Sequence, residues 1–126
     1  MRLELEHLVG RDIIQVRVDH GFELVLFDED DDVRVRLSQF AIDFEDGAGE
    51  KFDPENRAAE LGRAFAVLRT VIEAAAVEDN GQLRLQLSGV GTLTAEPSED
   101  FESWEITGPG TKLFVCTAGG EVAEWV

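Results

Sequence analysis

The sequence predicts an α+β fold: a mostly antiparallel β-sheet built of two similar hairpin or meander units, with one main helix at about 54–69 packed against it. Three observations carry that expectation. Apolar and polar residues alternate over most of 13–44 and again over 83–95, the period of a half-buried strand. Residues 53–69 hold the one clear helical rhythm. The segments 8–37 and 66–95 resemble each other, which points to an internal duplication inside a single domain spanning 1–126.

The elements follow in chain order. Leu3, Leu5, Leu8 and Val9 precede Gly10 and suggest a short strand or turn leading in. Ile14, Val16 and Val18 then alternate with Gln15, Arg17 and Asp19, and Asp19-His20-Gly21 forms a tight turn into Phe22–Phe27. That second run is nearly all apolar, which suits a central strand covered on both faces. Asp28, Glu29, Asp30, Asp31 and Asp32 repel one another, so a solvated loop is their natural place. A calcium loop would use Asp28, Asp30 and Asp32 as its first ligands, but Val33 stands where a glycine is needed and Gln39 where a glutamate is needed. Val33, Val35 and Leu37, then Phe40, Ile42 and Phe44, mark two further half-buried strands. Arg34 and Arg36 are placed to pair with acids on a neighbouring strand.

For the helix, Asp53 offers an N-cap acceptor, Pro54 suits the first helical position and Glu55 complements the positive end of the dipole. Leu61, Phe65 and Leu68 recur at steps of four and three, with Ala58 one step earlier, while Arg57, Glu60 and Arg63 fall opposite. Gly62 costs roughly 1 kcal/mol against alanine in a helix interior, so it marks a close approach of another backbone. Thr70–Asp79 mixes alanines with Val71, Ile72 and Val77. The likeness of Leu8–Val16 to Ala66–Ala74, each followed by an acidic turn ending in glycine and a Leu-x-Leu strand, decides for a strand starting at Thr70. Leu83, Leu85 and Leu87 alternate with Arg84 and Gln86, and Ser88-Gly89 turns into Val90–Ala95.

The closing segment holds Phe101-Glu102-Ser103-Trp104-Glu105-Ile106, a turn at Gly108-Pro109-Gly110, the strand Leu113–Cys116, a turn at Gly119-Gly120 and then Glu121–Trp125. Together with the leading Leu-Val-Gly-Arg and the Gly-x-Leu-x-Leu hairpin, this tail resembles a small bacterial domain family of unknown function, of actinobacterial type. The resemblance spans most of the chain and implies no activity, cofactor or catalytic residue.

Composition narrows the functions. Net charge is −16, from 27 acidic and 11 basic residues, and Lys51 and Lys112 are the only lysines. Nucleic acid and anionic membrane are disfavoured partners, since both need a basic footprint. A basic protein would be drawn in by the same field. No apolar run approaches the roughly 20 residues of a membrane span, and Met1–Gly10 has no basic-then-apolar leader, so a cytoplasmic location is expected. Cys116, the only cysteine, suits a buried inert thiol. His7 and His20, the only histidines, have no Ser or Cys neighbour suggesting a triad. Gly108-Pro109-Gly110 lacks the Lys-Ser/Thr and the helix of a phosphate-binding loop, so no cofactor is expected.

The candidate interaction surface is therefore the tail: Glu102, Trp104, Glu105, Glu121 and Trp125, a mixture of acid and rigid aromatic area. The same two indoles also suit plugs at the end of the core. The expected function is a non-catalytic, acidic protein-binding domain of immunity or inhibitor type that recognises a basic partner. Two alternatives stand beside it. One is a small-ligand-binding domain or enzyme with a carboxylate-lined pocket between helix and sheet. The other is a structural homo-oligomer whose exposed final strand pairs with a second copy.

Overall fold

Period-two patterning prevails over nearly the whole chain. The computed structural model describes residues 2–30, 32–110 and 112–125, and within them the regular structure is strand and short 3-10 turns. The strands are β1 (Leu3–Glu4), β2 (Ile13–Val18), β3 (Phe22–Leu26), β4 (Val33–Leu37), β5 (Phe40–Phe44) and β6 (Gly49–Phe52), then β7 (Ile72–Val77), β8 (Leu83–Leu87), β9 (Gly91–Ala95), β10 (Trp104–Thr107), β11 (Leu113–Cys116) and β12 (Val122–Trp125). They form two six-stranded antiparallel sheets, ordered β1-β7-β8-β9-β5-β6 and β12-β11-β10-β4-β3-β2. One cluster of buried side chains from both sheets fills the space between them, so the fold is a β-sandwich.

The connectivity interlocks the two layers. The meander β2-β3-β4 passes its next hairpin, β5-β6, to the opposite sheet, where β5 pairs with β9. The meander β7-β8-β9 does the reverse, because β10 pairs with β4 and carries β11 beside it. The meanders also meet directly at an antiparallel bridge between Asp12 and Val71. Around it the bonds are reciprocal: Ile13 N donates to Thr70 O (2.9 Å) and Ile72 N to Arg11 O (3.1 Å), while Gly10 N donates to Ile72 O and Arg69 N to Ile13 O (2.8 Å each). Both meanders open with a bulge, between Ile13 and Gln15 and between Ile72 and Ala74. Gly10 (φ 86°) and Arg69 (φ 68°) hold matching left-handed positions ahead of them. By this matching Ile13 corresponds to Ile72, one residue off the sequence alignment that sets it against Val71.

The main helix expected at about 54–69 is absent, and the fold is all-β, not α+β. Asp53 does begin a turn, accepting Asn56 N at Oδ1 (3.1 Å) and Arg57 N at its carbonyl (2.8 Å), but the chain continues as two 3-10 stretches, Ala58–Glu60 and Gly62–Val67. The reason lies in which stripe is buried. Leu61, Ala64 and Val67 are inside, at the spacing of three that a 3-10 helix repeats, whereas Phe65 and Leu68 of the helical stripe are 43% and 37% exposed. Gly62 faces open space, so it marks no close backbone approach.

In β4 and β8 the strand faces behave as alternation requires, whereas in β2, past its bulge, Ile14 and Val18 of the expected apolar face are exposed. Leu83, Leu85 and Leu87 of β8 and Val33, Val35 and Leu37 of β4 are fully buried. On the outer face of the second sheet, Arg17, Glu23, Arg36 and Glu105 stand side by side on four neighbouring strands as a row of alternating charge. Arg36 reaches past this row to the turn after β2, where its Nη2 lies 2.7 Å from Asp19 Oδ1 and Gly21 N donates to the same oxygen (2.8 Å).

The Arg36 guanidinium, helped by Gly21 N–H, lowers the Asp19 carboxyl from 3.8 to about 2. A depressed carboxyl stabilises the fold fully above its unfolded pKa and ceases to as the folded group protonates. The stability difference between the parent and Asp19→Asn is therefore expected to be complete above about pH 4 and to vanish towards about pH 2, which thermal melts across that window measure.

Candidate functional site

Where β5-β6 crosses to the opposite sheet, it leaves a cleft of about 580 Å³ against the connection that joins β9 to β10. Phe40 and Phe52 form its floor. They face each other across β5-β6 with ring centroids 5.2 Å apart, and Phe22 lies 5.0 Å beyond Phe40, so the cleft opens onto the end of the core. The far wall is the segment 96–101, anchored at both sides. Ser38 N donates to Ser103 O (3.0 Å), Ser38 Oγ to Glu102 O (2.9 Å), and Gly119 N to Ser98 O (2.7 Å). Phe101 stands on that wall 39% exposed.

The charges lining the cleft divide into two sets. Arg57 is held by Glu60, with Nη2 2.8 Å from Oε1. Asp53 accepts from the Asn56 side chain (3.1 Å), Asn56 N and Gln39 Nε2 (3.3 Å), and the two bonds from Asn56, the side chain's first, draw its pKa down. Lys51, Glu96 and Asp100 are exposed and enter no ion pair among the described residues. The groups available to a ligand are thus two carboxylates, one ammonium and one aromatic face.

The residues singled out in the tail part company. Trp104 is buried (1% exposed), and its Nε1 donates to Gly81 O at 2.9 Å, so it adds nothing to an outer surface. Glu102 is exposed, follows Phe101 in the chain without lining the cleft, and its carbonyl accepts Ser38 Oγ. Glu105 lies on the outer face of its sheet between Arg36 and Val115. Trp125 is on the same face at the edge, opposite Leu113, and is 53% exposed. Glu121 is exposed in the turn before β12, its carbonyl taking Thr117 N (2.8 Å) and Thr117 Oγ (3.0 Å). Only Glu105 and Trp125 share a face, and Lys51, Glu96, Asp100 and Phe101 of the cleft were not legible as a site. The sequence around Glu96, Asp100 and Phe101 is dense in acid, as much of this chain is, and Lys51 has no signal at all. The pocket expected between helix and sheet has no helix to form it.

A second hollow, of about 260 Å³, lies beside His7, Arg11, Phe27 and Asp28. Arg11 is a strut there, donating from Nε to His7 O (2.6 Å) and from Nη1 to Phe27 O and Asp28 Oδ1 (2.8 Å each). The His7 ring stacks on Phe114, with centroids 5.6 Å apart. Burial first, then Lys112 and Arg11, push its pKa down and keep it neutral at pH 7. Cys116 is buried, and burial pushes its thiol up, away from the thiolate a nucleophile needs. Among the described residues no group of three or more His, Cys, Asp or Glu is placed to hold a metal, and no helix is long and apolar enough to cross a membrane. Asp31 of the acidic run lies outside the described residues.

No curated protein and no solved structure matches the chain. A family of unknown function does match, over nearly its whole length. The chain belongs to the family described as Family of unknown function (DUF6188), which matches residues 4–126.

Proposed function

We propose that this protein is a non-catalytic binding domain that recognises a basic partner protein, and that the cleft beside β5-β6 takes a cationic side chain of that partner. One observation carries the reading: the exposed carboxylates of Glu96 and Asp100, in no ion pair among the described residues, line the same cleft as the exposed ring of Phe101, over an apolar floor. A lysine or arginine entering there meets opposite charge and an aromatic face together, the two features that favour a cation over a neutral group. The chain's net charge of −16 brings such a partner in from a distance and makes the encounter salt-dependent.

Lys51 supplies the internal test, because it is the one cation in the cleft without an ion-pair partner among the described residues. If the cleft holds a cation, Lys51→Gln strengthens binding, while Glu96→Gln and Asp100→Asn each weaken it by about 0.2–1 kcal/mol, the range of exposed ion pairs. Calorimetric titration of an arginine-rich peptide at low and high salt measures both signs. A loss of binding in Lys51→Gln, or affinity indifferent to salt, would overturn the assignment in favour of an anion site.

A further inference from the structure

We infer that the open edge of β12 is a docking strand for an extended segment of a basic protein in which apolar and basic residues alternate. The starting observation is which backbone groups of β12 are used. Thr117 N donates to Glu121 O, which makes that pair a hydrogen-bonded one, and in an antiparallel ladder such pairs recur every second residue. Ala123 and Trp125 therefore spend their N–H and C=O groups on Val115 and Leu113 of β11, and those of Val122 and Glu124 point away from the sheet.

The other three sheet edges are protected. β1 is two residues long and is flanked by Arg2, which bridges Glu4 and Glu78. β6 carries Lys51 and is followed by Pro54, and β2 is kinked by its bulge. Each is a recognised way of stopping an edge from pairing. β12 has no lysine, no proline and no register shift against β11.

The two faces of that edge specify what would pair with it. On the outer face Trp125 and Ala123 sit beside Leu113 and Val115, an apolar step against which a neighbouring strand would lay apolar side chains. On the other face Glu124 is exposed without an ion pair among the described residues, and a lysine or arginine across from it would supply one. A strand meeting both has period two, basic on one side and apolar on the other. A second copy of this chain fits less well, since it would bring another body of net charge −16 to the same edge.

This inference shares with the cleft reading the premise of a basic partner but uses a different surface, so the two can fail separately. The test titrates the full chain with a peptide of about eight residues, ordinary strand length, alternating lysine and valine. Controls are a glutamate–valine alternation and a lysine–valine peptide of equal composition with its lysines in one block. Expected with the lysine alternation alone are slowed hydrogen exchange at Val122 and Glu124 and a change in Trp125 fluorescence, whatever the block peptide does in the cleft. Glu124→Pro removes an outward N–H while leaving the β11 pairing intact, and should weaken binding at least about tenfold. Glu124→Lys, which needs no proline, should shift preference to the glutamate peptide. The double variant Glu96→Gln/Asp100→Asn should leave the protection of Val122 and Glu124 in place.

Equal protection of Val122 and Glu124 by the block peptide, an unaltered Trp125 response in both Glu124 variants, or no protection at Val122 and Glu124 would overturn the inference. Loss only in the double variant would place the peptide in the cleft, overturning the inference while sparing the cleft reading. A dimer by sedimentation that Glu124→Pro dissociates would assign the edge to a second copy and likewise overturn it.

Discussion

Trp104→Ala is expected to lower folding stability by about 3–5 kcal/mol, a large share of the 5–15 kcal/mol typical of a domain. The side chain is 1% exposed and lies in register with Leu37 of β4 and Cys116 of β11, so truncation opens a cavity bounded by three strands. Its Nε1 also donates to Gly81 O in the β7–β8 turn of the opposite sheet, at 2.9 Å. One indole thus fills the core and ties the layers together. Trp104→Phe separates the two contributions: it keeps most of the apolar volume, loses the donor and should cost about 1–3 kcal/mol. Urea denaturation measures both. Equal losses in the two variants would show that the hydrogen bond, not the volume, dominates.

Gly91→Ala is expected to cost about 2–5 kcal/mol, combining backbone strain with overpacking. Gly91 opens β9 with φ 136°, a value that residues with a Cβ rarely adopt. An added Cβ would collide with Asp43 O and come within 3.1 Å of Phe44 Cα, which are backbone atoms of the crossing strand β5 and cannot rotate aside. The close approach belongs to the strand exchange itself, because β5 joins this sheet only by lying against β9. Gly62→Ala is the matched control. Nothing lies within 4 Å of its added Cβ and its φ is not positive, so it should be neutral or gain about 0.4–1 kcal/mol through the unfolded chain. Thermal melts of the two variants should move in opposite directions or differ widely in size.

These positions show how legible the fold was. Alternation located the strands well, since a strand half in the core needs side chains of opposite character on successive residues whatever its neighbours. Leu83, Leu85, Leu87 and Gln86 take the faces their order implies. The helix over 54–69 failed for a physical reason. Leu61, Phe65 and Leu68 at spacings of four and three compete with Leu61, Ala64 and Val67 at spacing three, and the second set offers less apolar area. Only tertiary packing, which takes Leu61, Ala64 and Val67 into the core cluster, decides that the second set is buried. Of the candidate surface, Trp104 was a core residue written in the same letters as an interface residue, while Glu96, Asp100 and Lys51 carry no pattern that sets them apart from other surface charges.

By itself the sequence determined that this chain is strand-rich, strongly anionic and poor in groups for nucleophilic chemistry, because side-chain period and charge are local properties that survive any arrangement of the strands. The tertiary structure alone decided that each meander gives its following hairpin to the opposite sheet, that residues 58–67 wind as 3-10 turns, and that the segment carrying Glu96, Asp100 and Phe101 walls a cleft over Phe40 and Phe52. Backbone hydrogen bonds are chemically the same between any two strands. The choice of partner therefore falls to the packing of both sheets around one core, and every site made by that choice is invisible until the packing is complete.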